Sequence, residues 1–112
     1  MLKKINRLTK KKEFDNIWQK GRSSFDKILG IKTLPNELAF PRFGILVGLK
    51  YSKKAVERNK LKRQLREIIR AELPGIKVGN DFIITVLPGA KQAEFEDLER
   101  SLATNLKRLR LL

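Results

Sequence analysis

The chain has 112 residues, with 26 Lys and Arg against 12 Asp and Glu, no histidine and no cysteine, giving a net charge of +14. A hydrophobic content of 41% and a mean hydropathy of -0.38 describe an ordinary globular chain, and this length closes one core without staples, so a single domain over 1–112 is expected. The composition excludes disulfides, and with neither Cys nor His it excludes zinc sites and thiolate or imidazole catalysis.

Thr9 is placed to cap a short helix over Lys10–Lys20, stopped by Gly21, with Phe14, Ile17 and Trp18 on one side. From Ser24 to Leu34 a loose alternation predicts a strand. Leu29, Ile31 and Thr33 lie on one face, and Ile28, Gly30 and Lys32 on the other. Pro35-Asn36-Glu37 reads as a turn, and Pro41 closes a short loop. Arg42–Gly48 is a second strand leading into a helix from about Ser52 to Arg70, ended by Pro74-Gly75. Asp81–Leu87 is a continuous apolar run, as expected of a strand covered on both faces. The last helix runs from about Gln92 to Arg110, with Phe95, Leu98, Leu102, Leu106 and Leu109 as its core stripe. Interleaved helices and strands around one sheet give an α+β class.

The helix from Ser52 to Arg70 is the most informative segment. At about 100° per residue, Leu61, Leu65, Ile68 and Ile69 occupy a core-facing stripe. Nearly opposite, Asn59, Arg63, Arg66 and Arg70 fall within an arc of roughly 60°, flanked by Arg58 and Lys62. A planar donor fork on successive turns suits phosphates along a nucleic-acid backbone. The charge is also segregated. Residues 1–22 carry +6 and residues 42–70 carry +8, while 23–41 and 71–112 each sum to zero. The two blocks form one patch if the fold joins them, and a nucleic-acid partner is favoured over mere solubility. An anionic membrane surface is the weaker competitor, because neither block pairs its charge with a large apolar face.

The remaining carboxylates suggest pairing and capping rather than chemistry. Glu94, Glu96, Asp97 and Glu99 crowd a helix start, Asp81 borders a strand, and Glu57 and Glu67 sit among arginines. No paired-carboxylate site for a metal-dependent nuclease is evident, and protein-borne catalysis is not expected. No apolar run approaches a membrane span, and Met1–Arg7 lacks the features of a signal peptide, so the cytoplasm is expected.

At Arg58-Asn59-Lys60-Leu61-Lys62-Arg63-Gln64-Leu65-Arg66-Glu67 the chain resembles the family of bacterial ribonuclease P protein subunits. That family carries an Arg-Asn-Arg box followed by Lys-Arg and a further Arg on the same helix. Arg58, Asn59, Lys62, Arg63 and Arg66 match it, as do Asn6-Arg7-Leu8, Phe14 and Trp18 before Gly21, and Arg42 and Gly44 before the box. Lys60 departs from the box, keeping the charge without the fork. Leu49 precedes Lys50 where the family usually has two lysines, and Val86–Ala90 is less basic than is typical.

The resemblance implies a compact α/β sandwich similar to the second domain of ribosomal protein S5, with about four strands, three helices and a left-handed crossover. It implies an enzyme whose chemistry belongs to a catalytic RNA, with Mg2+ held mainly by that RNA. No catalytic residue and no metal ligand are expected on the protein. The RNA-binding residues implied are Arg58, Asn59, Lys60, Lys62, Arg63, Arg66, Arg70, Lys50, Lys53, Lys54, Arg7 and Arg42. Phe14, Trp18, Lys32 and Lys11 are implied to hold the single-stranded 5′ leader of precursor tRNA. The partners are then ribonuclease P RNA and precursor tRNA, with no membrane and no protein partner required. On spacing alone, Phe14 and Trp18 could instead pin the first helix to the sheet. Arg42 could contact RNA or pair with Glu57 or Glu67. A structural RNA-binding protein of ribosomal type is the alternative. A stand-alone nuclease and a DNA-binding helix-turn-helix module are more distant ones.

Overall fold

A computed structural model describes residues 3–112, so Met1 and Leu2, which open both the basic block and the segment read as lacking a signal peptide, lie outside the described residues. Three α-helices, α1 (Lys11–Lys20), α2 (Ala55–Glu72) and α3 (Phe95–Arg108), surround four strands, β1 (Arg22–Phe25), β2 (Leu29–Pro35), β3 (Arg42–Leu46) and β4 (Asn80–Val86). The sheet order is β1-β2-β4-β3. β1–β2 and β2–β4 pair antiparallel, whereas β3 and β4 run parallel and need the crossover that α2 supplies.

The strand expected over Ser24–Leu34 is two strands. Asp26 breaks it by accepting hydrogen bonds from the backbone N–H groups of Ile28 (2.8 Å) and Leu29 (2.9 Å), a local turn that competes with the ladder. Leu29, Ile31 and Thr33 are buried on one face as expected, but Ile28, expected on the other face with Gly30 and Lys32, lies in the turn before β2 and packs against the main core. Leu29 and Ile31, together with Phe43, Phe82, Ile84 and Val86, meet Leu61, Leu65, Ile68 and Ile69 of α2 and Leu98, Leu102 and Leu106 of α3 in the main core. Phe43 and Phe82, cross-strand partners, stack at 4.8 Å. On the opposite face Leu8, Ile17 and Ile83 form a smaller cluster beneath α1. β4 is therefore covered on both sides, which is why its sequence runs apolar without alternation.

All three helices start later than expected. Lys10, not Thr9, precedes α1, and no side chain caps it. α2 begins at Ala55 because Ser52 forms a staple ahead of it: its hydroxyl donates to the Glu57 carboxylate and accepts from the Lys54 N–H, while Arg58 Nη1 donates to the Ser52 carbonyl at 2.9 Å. α3 begins at Phe95 behind a reciprocal Glu94/Asp97 capping box. Phe95 itself, expected in the core stripe, is 43% exposed. Buried Ser101 and Asn105 share that stripe with the leucines. They hold Asp26, and Asn105 also accepts from the Ser24 hydroxyl at 2.7 Å, tying the β1–β2 hairpin to α3.

Candidate nucleic-acid interface

Strand register determines which side chains α1 leaves uncovered. On its side of the sheet, one cross-strand row is Gly44–Ile83–Lys32–Ser23, and the next is Leu46–Thr85–Gly30–Phe25. Ile83 lies beneath α1 through Ile17, so the first row is partly roofed. The second is open, with Leu46 37% and Phe25 70% exposed at its ends. Trp18 lines a groove of about 300 Å³ with Ser23, Phe25, Gly30, Lys32 and Thr85. Trp18 is 44% exposed, with the Lys32 ammonium 5.2 Å from the ring centroid. Trp18 therefore does not serve as a core pin; Ile17, the neighbouring residue, does that.

Phe14 occupies the other end of α1, half-buried over β3. Its seat exists because residue 44 is glycine: a β-carbon there would stand 2.5 Å from Phe14 Cε1. A second depression joins Phe14 and Gly44 to Arg7, Thr9 and Arg66. Arg7 reaches it because the amino-terminal segment runs beside β3, with an Arg7–Phe43 bridge and a 2.8 Å bond from Leu8 N–H to the Phe43 carbonyl. The fold thus brings Arg7 of one basic block and Arg66 of the other to the same depression.

Along α2, Asn59, Arg63 and Arg70 are exposed, while Arg58, Lys62 and Arg66 are half-buried along the border of the apolar stripe that meets this depression. Arg70 has only a loose, exposed contact with Glu67 at 3.5 Å, of little energetic weight. Lys50, Lys53 and Lys54 are exposed ahead of the helix, and Lys11 is exposed in the first turn of α1. Lys60 departs from this surface. It lies about 120° around the helix axis from Arg66 and lines a different depression with Tyr51 and Lys91.

Arg42 pairs with neither Glu57 nor Glu67, the acids that the sequence offered as an alternative to an RNA contact. Its Nε and Nη2 donate to the two Asp81 oxygens at 2.8 and 2.7 Å, and its Nη1 meets Glu13 of α1 at 2.5 Å. Asn36 Nδ2 also donates to Asp81, at 2.7 Å. The hydrogen bonds that Arg42 donates to Asp81 hold the guanidinium pKa above its ordinary value, against the opposing effect of burial. With its fork occupied in this way, Arg42 clamps α1, β3 and β4 together. Register explains the partner: Arg42 and Asp81 lie opposite each other on β3 and β4.

Sequence reasoning missed Phe25, Leu46 and Thr85, because the open row exists only once the four strands are in register. The signal for Phe25 was present in the Asp26 turn immediately after it, which ends β1. Among the described residues no three His, Cys, Asp or Glu side chains come together as a candidate metal site. The best-placed acids are engaged: Asp81 by Arg42 and Asn36, and Asp26 by Ser101 and Asn105.

A sequence model of the family described as Ribonuclease P matches residues 2–110. The chain belongs to that family. It is 33% identical to the ribonuclease P protein component of Cyanothece sp., across 100% of this chain and 98% of that one. Its fold matches a Staphylococcus aureus RNase P protein, a mutant with defective mRNA degradation activity, at a TM-score of 0.89 and 31% identity, covering 97% of this chain and 92% of that one. The Thermotoga maritima RNase P protein matches at a TM-score of 0.83 and 30% identity, covering 91% and 96%. As a ribonuclease P protein component, the chain is a subunit of a ribonucleoprotein endoribonuclease, and that enzyme's RNA is its partner. No helix among the described residues is long and apolar enough to cross a membrane.

Proposed function

We propose that this ribonuclease P protein binds the catalytic RNA through α2 and Arg7, and holds the 5′ leader of precursor tRNA along the open row of the sheet. It thereby assists RNA-catalysed removal of the leader to give the mature tRNA 5′ end, in the cytoplasm. The observation that carries this reading is one arrangement: an open groove with exposed Trp18 and Phe25 towards one end of α1, and towards its other end a separate depression in which Phe14 meets Arg7 and Arg66. Aromatic platforms stack on any base, each worth about 1–3 kcal/mol. A leader of variable sequence needs that tolerance.

Division of labour follows from the side chains. Arg63, Arg66 and Arg70 offer forks for RNA phosphates, with Lys62, Lys50, Lys53 and Lys54 adding point charges. Lys32, its ammonium against the Trp18 ring, would neutralise a leader phosphate while the indole stacks on the adjoining base. Magnesium is assigned to the RNA phosphates, where it would activate the attacking water. The protein acts by neutralising charge and fixing the substrate.

Equilibrium binding of precursor and mature tRNA to the reconstituted holoenzyme tests this. The precursor should bind more tightly, and Trp18→Ala should remove much of the difference. Equal affinity for the two tRNAs would favour a structural RNA-binding role. The Staphylococcus aureus comparison motivates a further arm, in which protein alone is incubated with single-stranded RNA. Cleavage abolished by a substitution on this chain would move part of the chemistry onto the protein.

A further inference from the structure

Phe25, which lines the open groove with Trp18, ends a strand that has little of its own to hold it. β1 is four residues long and forms an edge of the sheet, with β2 as its one hydrogen-bonded neighbour among the described residues. Short edges open locally at little cost. We infer that Ser24, Asp26, Ser101 and Asn105 form a latch that positions Phe25 beside Trp18 to receive the leader. This latch rests on the leader-binding reading above and acts through Phe25, because Asp26, Ser101 and Asn105 lie outside the groove lining.

Both neighbours of Phe25 are fastened to α3. The Ser24 hydroxyl donates to Asn105 Oδ1 at 2.7 Å. Asp26 accepts from the Ser101 hydroxyl, 2.7 Å from its nearer oxygen, and from Asn105 Nδ2 at 3.2 Å. The backbone of Phe25 is tied to the same helix, since Arg108 Nη1 donates to its carbonyl at 3.3 Å. Side chains alternate along a strand, so neighbours held towards α3 leave the Phe25 ring on the opposite face, where the groove lies.

The core itself does not call for this latch. Ser101 and Asn105 are buried in a stripe otherwise built from Leu98, Leu102 and Leu106. Replacing hydrogen-bonded polar partners by apolar groups of the same shape is nearly neutral or stabilising. What a fully satisfied polar network adds is one fixed arrangement. Among the described residues no buried side-chain polar atom lacks a partner, so this network is satisfied. Gly30, the cross-strand partner of Phe25, supports the same use of the site. A β-carbon there would meet Phe25 Cβ at 3.6 Å and Leu87 Cδ1 at 3.9 Å, both ordinary contacts, so packing does not demand glycine. Glycine inside a strand often marks the close approach of a ligand, and here it leaves the floor beside Phe25 open.

The test is a double-mutant cycle in the holoenzyme assembled from this protein and a bacterial ribonuclease P RNA. Its readout is the ratio of precursor to mature tRNA affinity, with urea unfolding run alongside to confirm that each variant folds. Phe25→Ala should lower the ratio about 5- to 150-fold, as the loss of one stacking platform. Asn105→Leu, which completes the apolar stripe, should lower it several-fold and leave affinity for the ribonuclease P RNA unchanged. Ser24→Ala should act in the same direction, and Ser24→Thr, which keeps the hydroxyl, should restore the ratio. Added to Phe25→Ala, either latch variant should lower the ratio no further. Additive losses would make the effect a general structural one and overturn the proposal. A wild-type ratio in folded Asn105→Leu and Ser24→Ala would overturn it as well. Should Asn105→Leu fail to fold, Ser24→Ala at its half-buried site carries the cycle alone. Trp18→Ala separates the two levels: a lowered ratio there with none in Phe25→Ala or the latch variants refutes the latch only, while an unchanged ratio in Trp18→Ala refutes the leader reading itself.

Discussion

Replacing Gly44 by alanine separates folding from leader binding. The added β-carbon would stand 2.5 Å from Phe14 Cε1, whereas ordinary van der Waals contact begins at 3.4 Å, so the ring must move by about 1 Å or more. The obstructing atoms are at the tip of a half-buried side chain, and Leu8 Cβ, the next neighbour, is at an ordinary 3.5 Å. Phe14 can therefore swing out without displacing backbone. The stability cost should fall at the low end of the overpacking range, about 1 kcal/mol. Loss of one stacking platform is worth about 1–3 kcal/mol, or roughly 5- to 150-fold in affinity. Urea unfolding gives the first quantity, and the ratio of precursor to mature tRNA affinities in the holoenzyme gives the second. A near-normal unfolding midpoint with a strongly reduced ratio is expected. An unchanged ratio in a folded Gly44→Ala protein would show that Phe14 does not hold the leader from this seat.

Arg42→Ala leaves Asp81, which is only 9% exposed, without its bidentate partner, and should cost about 3 kcal/mol by chemical denaturation; a cost under about 1 kcal/mol would mean that the clamp does not hold α1, β3 and β4 together. Ser101, the Leu29 and Ile28 N–H groups and Asn105 hydrogen-bond the Asp26 carboxylate and hold its pKa below the ordinary carboxylate value, although burial acts to raise it. The folded state therefore favours the ionised form, so this contribution is complete above the unfolded pKa and lost as pH falls through the lower folded one. Thermal melts of wild type and Asp26→Asn should differ at neutral pH and converge under acid; a gap that widens on acidification would reverse the assignment. Arg63→Ala should weaken RNA association and lower the magnitude of the salt slope by about 0.7–0.9 in filter binding, and an unchanged slope would remove Arg63 from the interface.

The helices and the main core were legible in the sequence because their signal is periodic and local. Leu61, Leu65, Ile68 and Ile69 declare a face whatever they pack against, and all four are buried. The arginine face of α2 was legible for the same reason. What the sequence hid depends on register or on polar groups acting at a distance. Arg42 finds Asp81, 39 residues away, only because β3 and β4 run parallel with those positions opposed. Ser101 and Asn105 look like imperfections in an apolar stripe until Asp26 arrives from the hairpin. Lys60 shows the limit of helical-wheel reasoning. Its angle was computable, but the depression it lines needed Lys91 from a turn 31 residues on, and only the fold brings that turn alongside α2.

The central claim is that this protein makes an RNA enzyme work by supplying charge and a leader-binding groove. Reconstitution with a bacterial ribonuclease P RNA at low magnesium, scoring cleavage of precursor tRNA at the mature 5′ end, tests it most directly. Adding this protein should raise cleavage well above RNA alone, and Trp18→Ala should forfeit much of that gain for precursors with long leaders. Equal cleavage with and without the protein would contradict the account.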